Sequence, residues 1–149
     1  MKRPVFLIGL AIAALTCGAG PVRLDDSLTH TVPPNVQMQW RPMQASAGPA
    51  GSMEAWLRVN VRVDTAAWAG QSGRVYMVLA RDGTSVVEAS WTSQGRLLAG
   101  RVLSGERTLV YAGALPAALN DQLAVRLRAS PDWDRPVRRL NFHFELETP

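Results

Sequence analysis

The chain has 149 residues, 47% of them hydrophobic, which is one domain's worth of sequence with enough apolar surface to bury a core. That balance excludes a disordered or low-complexity polymer. The formal charge of +4 rests on arginines spread along the chain, with Lys2 the one lysine; without a concentrated basic patch interleaved with aromatics, no nucleic-acid partner is expected.

Residues 1–20 have the anatomy of a secretory signal peptide. Lys2 and Arg3 form a positive start, Val5 to Leu15 is an unbroken apolar run, and small residues follow through Gly20. The run is far shorter than the ~20 residues that span a bilayer. An exported protein of the periplasm or cell surface, with no membrane span, is therefore expected. Cys17 is the only cysteine. Cleavage after Ala19 or Gly20 removes it. The alternative, a lipid anchor at Cys17, is the poorer match, because Thr16 stands where such signals carry Gly or Ala. Either way the remaining domain has no disulfide.

Residues 21–34, PVRLDDSLTHTVPP, read as an N-terminal extension. Val22, Leu24, Leu28 and Val32 share one parity, with Asp26 and His30 in the gaps. This half-written strand ends at Pro33-Pro34, neither of which can donate to a ladder. Residues 35–149 read as the folded domain. Val36, Met38 and Trp40 alternate with glutamines, and MQASAGPAGSM (43–53) reads as a loop.

From residue 54 the chain is a run of strands. Leu57, Val59, Val61 and Val63 alternate with Arg58, Asn60 and Arg62, the period-two signature of a half-buried strand. Arg74–Ala80 and Ser85–Trp91 flank Asp82-Gly83, a strong hairpin signal. Leu97–Leu103 and Arg107–Gly113 flank Ser104-Gly105-Glu106, which predicts a second hairpin. Leu123, Val125, Leu127 and Ala129 alternate with Arg126 and Arg128. Leu140, Phe142, Phe144 and Leu146 alternate with Asn141, His143 and Glu145 in the last strand. Only Ala112–Asp121 has a helix-friendly composition, which Pro116 limits to about a turn. The spacing predicts an all-β fold: a single Ig-like β-sandwich of about seven or eight short antiparallel strands.

Motifs that carry chemistry are missing. The two histidines, His30 and His143, are too few for a metal site of three or more converging ligands. GQSGR (70–74) lacks the helix and lysine of a phosphate loop. Asp132 and Asp134 open like a calcium loop, but the required Gly and distal Glu are absent. The protein is therefore expected not to be an enzyme, with no catalytic residue, cofactor or metal. Trp68 and Trp133 sit in loops and read as exposed contact residues, whereas Trp56 and Trp91, in or beside strands, read as core.

An exported, helix-poor Ig-like domain preceded by the alternating extension Val22–Val32 resembles a chaperone–usher fimbrial subunit. The resemblance implies an incomplete sandwich that receives its missing strand from the next subunit. It implies other protein subunits or a periplasmic chaperone as partners; no binding residue carries over from the family, and the alternation itself marks Val22, Leu24, Leu28 and Val32 as the expected donor-face anchors. The chain departs from the family in having no domain cysteine and in ending ELETP. The alternative is a stand-alone periplasmic binding or accessory domain that makes contact through Trp68 and Trp133.

Overall fold

The computed structural model of the chain describes residues 20–41, 52–81, 86–129, 137–138 and 140–149. Among them are β1 (Val22–Arg23), β2 (His30–Val32), β3 (Val36–Gln37), β4 (Gln39–Arg41), β5 (Ser52–Asp64) and β6 (Ser72–Leu79). After these come β7 (Val87–Ser93), β8 (Gly100–Leu103), β9 (Arg107–Ala114), β10 (Ala118–Ala129), β11 (Val137–Arg138) and β12 (Phe142–Glu147). One 3-10 turn, Ala66–Trp68, joins β5 to β6, and no α-helix occurs among the described residues. The expected signal peptide with Cys17, and Asp132, Trp133 and Asp134, lie outside the described residues.

Alternating strands have one apolar face to bury and one polar face to keep in water, so two such sheets stack. The smaller sheet runs β1-β12-β6-β9. The larger runs β2-β5-β10-β7-β8, with β4 also pairing β5 further along its edge. All pairings are antiparallel, which makes the fold an all-β sandwich. Its spine is the twelve-residue ladder between β5 and β10, from Asp64 opposite Ala118 to Met53 opposite Ala129.

The inward parity is the one the alternation predicts. Val59, Val63, Leu123 and Leu127 of the larger sheet meet Val75, Val110, Phe144 and Leu146 of the smaller one, all nearly inaccessible to water. Met38 and Trp91 are buried as well. Trp56 is not: it is 62% exposed on the outer face of β5, a correction to its placement in the core. Leu57, Val59, Val61 and Val63 all need the inner face, and a residue one step from Leu57 must point the other way.

Neither expected hairpin forms, because the strands meant to pair belong to different sheets; residues 82–85 themselves lie outside the described residues. β6 pairs with β12 and β9, while β7 pairs with β10 and β8. β8 likewise stays with β7, and β9 with β6. The Ser104–Glu106 turn knits the two crossings together. The Gly105 amide donates to the Leu79 carbonyl (2.7 Å) and the Ser104 amide to that of Val87 (2.8 Å), so one turn holds the end of β6 and the start of β7. Gly105 has φ +89°, which a side chain would strain. The true hairpin is β7–β8, across residues 94–99. The Ala112–Asp121 stretch forms no helix; it ends β9 and begins β10.

One side of the sandwich closes at β9, where Val110 is the extra residue of a β-bulge opposite Val75 and Tyr76. Its carbonyl accepts the Leu98 amide at 2.7 Å. The other side is closed by the N-terminal segment.

Candidate functional site

The N-terminal segment is shared between the two sheets of its own domain. Val22 and Arg23 pair with Leu146 and Glu145 at the edge of the smaller sheet. Asp25 then bridges Asp64 of β5, accepting its amide at 2.9 Å, and His30–Val32 pair with residues 58–60 of β5. Thr29 reinforces the crossing: its hydroxyl donates to the Arg62 carbonyl and accepts the Arg62 amide. The turn between is set by Asp25, whose carboxylate accepts the Ser27 amide at 3.0 Å. That bond holds the Asp25 carboxyl below its ordinary value.

Of the four apolar residues on the shared parity, only Leu24 enters the core. It is 3% exposed, whereas Val22, Leu28 and Val32 remain on the surface. The bend at residues 25–29 breaks the straight strand that the alternation by itself describes. Trp68 is partly buried, its ring packed against the core from the 3-10 turn.

The outer face of the larger sheet collects a different group of residues. Its strands place side chains in rows across the sheet, about 4.8 Å apart between neighbours. One row holds Trp56, Arg126, Ser90 and Arg101; the next holds Val32, Arg58, Ala124 and Thr92. The Arg126 guanidinium lies over the Trp56 ring, 5.4 Å from its centroid, within cation–π range. Arg126 and Arg128 both bond the Glu54 carboxylate, Arg128 at 3.2 Å. Burial pushes the Glu54 carboxyl up, but these two guanidiniums outweigh it and hold the group below its ordinary range.

A row of polar groups continues the face. Gln122 Nε2 donates to Asn60 Oδ1, and Asn60 Nδ2 donates to His30 Nε2, both at 3.0 Å. His30 Nδ1 lies 3.3 Å from the Leu28 carbonyl, which fits the Nδ1–H tautomer. The imidazole is thus engaged on both nitrogens. Among the described residues no group of three or more His, Cys, Asp or Glu could hold a metal ion.

The outer face of the smaller sheet sets Arg23, Arg74 and Arg107 beside Glu145 and Glu147. Arg107 bonds Glu147 at 2.7 Å, approaches Glu145 at 3.8 Å and lies over the Tyr76 ring. His143 and Glu145 share this face, as their parity predicts, and are 3.1 Å apart. On the larger sheet Arg58, Arg62 and Arg101 make no ion pair among the described residues.

Sequence reasoning by residue type passed over Trp56 and its arginine neighbours. The signal that finds them is parity, since Trp56, Arg58, Arg126 and Arg128 all occupy the polar phase of two strongly alternating strands.

Fold and site together define an all-β sandwich with one basic, tryptophan-bearing sheet face. No family model matches the chain, and neither does any curated protein or solved structure.

Proposed function

We propose that this protein is an exported, non-catalytic binding module of the periplasm or cell surface, working as a self-contained β-sandwich. The observation that supports the reading best is the course of the N-terminal segment. It fills the edge of its own smaller sheet, buries Leu24 in its own core and crosses to its own larger sheet. A subunit awaiting a partner's strand would need that position vacant.

A second reading, a pilus-like subunit that exchanges strands with its neighbours as in chaperone–usher fimbriae, draws on a separate observation. The segment is held by only five ladder residues, at the edges of both sheets, and leaves Val22, Leu28 and Val32 exposed. Edge strands of this kind are templates for pairing with another chain.

Peptide exchange separates the two. A fluorescent peptide of residues 21–34 is mixed in tenfold excess with the exported chain and resolved by size exclusion. The binding-module reading expects no label in the protein peak. Incorporation that disappears when the peptide carries Leu24→Asp would put strand exchange in its place.

A further inference from the structure

We propose that the outer face of the larger sheet docks an anionic polysaccharide, held by Arg58, Arg62 and Arg101 with Trp56 as the stacking platform. The proposal rests on the binding-module reading and adds the class of partner.

Charge is the first argument. The outward positions of β5, β10 and β8 carry Arg58, Arg62, Arg126, Arg128 and Arg101. The carboxylates of that face are Glu54, Glu88 and Asp64. Glu54 is taken by Arg126 and Arg128, Glu88 stands opposite Arg128 in the ladder, and Asp64, at the strand end, accepts the Ala66 amide at 2.9 Å. Five guanidiniums thus face three carboxylates, and Arg58, Arg62 and Arg101, all exposed, make no ion pair among the described residues. Guanidinium forks match carboxylate, sulfate and phosphate groups bidentately. On strands with a rise of about 3.4 Å per residue, Arg58 and Arg62 lie roughly 14 Å apart. That spacing suits a repeating anion better than a single small one.

The second argument is what surrounds the indole. Trp56 is braced by Arg126 and is still 62% exposed. The face around it carries guanidinium, amide and hydroxyl groups, with the Glu54 carboxylate on the same strand, and Val32 and the small Ala124 on either side of Arg58. A flat ring within a field of hydrogen-bonding groups complements a pyranose, which has an apolar C–H face and a rim of hydroxyls.

Other occupants fit less well. A second copy docked through the same face would set arginine against arginine, because a two-fold contact joins identical patches. A folded acidic protein would look for an apolar interface core, and here the other exposed apolar residues in the described strands of the face, Val32 and Leu103, lie on its two edge strands. Single-stranded nucleic acid is held by successive aromatic platforms, of which this face presents one among the described residues.

The test is affinity electrophoresis of the full exported chain in gels containing polygalacturonate or dextran sulfate, with neutral dextran as control. Poly-glutamate and phosphatidylglycerol vesicles are added as competitors. Retardation by at least one of the two anionic polymers is expected, and none by dextran. Trp56→Ala and the pair Arg58→Ala/Arg62→Ala should each weaken retention at least tenfold. Trp56→Tyr, which keeps a ring, should stay within threefold, and Arg74→Ala on the other sheet should change nothing.

Absence of retardation by both polymers overturns the proposal. So does retention indifferent to Trp56→Ala, which would reduce the effect to bulk charge. Competition by poly-glutamate or by the vesicles at equal weight would assign the face to an acidic protein or a membrane. None of these results bears on peptide exchange, which reports the sheet edges, so failure here and failure of the binding-module reading remain distinguishable.

Discussion

The Leu24 amide donates to the carbonyl oxygen of Phe144 at 2.9 Å, and the Leu24 side chain is buried in the same core as the Phe144 ring. The N-terminal segment is therefore part of the domain's stability. Leu24→Ala should cost about 2–4 kcal/mol, the range for a truncated core leucine. Leu28→Ala, at a 62% exposed position, should stay within about 0.5 kcal/mol. Urea denaturation of the two variants checks this; equal losses would contradict a core role specific to Leu24.

Trp91 and Trp56 make a second contrast. Trp91 is 4% exposed and its Nε1 donates to the Leu98 carbonyl at 2.9 Å. Trp91→Ala should cost about 3–5 kcal/mol. Trp56→Ala removes a surface ring and one cation–π contact, worth about 1 kcal/mol or less. Thermal melts of the two variants should differ accordingly. A large loss at Trp56 would mean that the ring supports the fold.

Glu54 gives the fold a dependence on acid. Its carboxyl is held below the ordinary value of 4.5 because Arg126 and Arg128 outweigh the effect of burial. A carboxyl with a lowered folded pKa contributes stability that is complete above its unfolded pKa and is lost as pH falls through the folded one. The loss therefore begins near pH 4.5 and grows below it. Glu54→Gln should cost about 1 kcal/mol at neutral pH, since both arginine partners are partly exposed. The same variant should flatten the acid limb of stability against pH. An unchanged acid limb would remove Glu54 from this role.

Asp121 organises the β7–β8 hairpin loop. Its carboxylate accepts the Ser93 hydroxyl and the Leu97 amide, both at 2.7 Å, and so holds the buried Leu97 in place. Asp121→Ala should cost about 1–3 kcal/mol, the penalty of leaving such donors unpaired. Hydrogen exchange at the Leu97 amide should quicken more than exchange in the β5–β10 ladder. Uniform quickening would indicate a global effect instead.

Much of the fold is legible in single residues. Leu57 to Val63, Leu123 to Ala129 and Phe144 with Leu146 declare their buried face because the two-residue period of a strand is a local property. The same period gives the outward position of Trp56, where residue type argues for the interior. Register wins, since turning Trp56 inward would expose four aliphatic side chains.

The turns are another matter. Asp82-Gly83 and Ser104-Gly105 are reversal signals in the sequence, and reversal is compatible either with a hairpin or with a crossing to the facing sheet. That choice depends on which strands lie on either side, and β12, 60 residues beyond Asp82, is the strand that takes the place beside β6. The N-terminal segment obeys the same logic. Its alternation is written in residues 22–32, but Phe144 and Asp64 supply the bonds that bend it across two sheets.

By itself, then, the sequence determined the strands and their buried faces, because neighbours along the chain are enough to define a period. Only the tertiary structure decided which strands pair and where the N-terminal segment runs. It also gathered Trp56, Arg58, Arg62 and Arg101 onto one surface, because those outcomes depend on contacts between residues far apart in the chain.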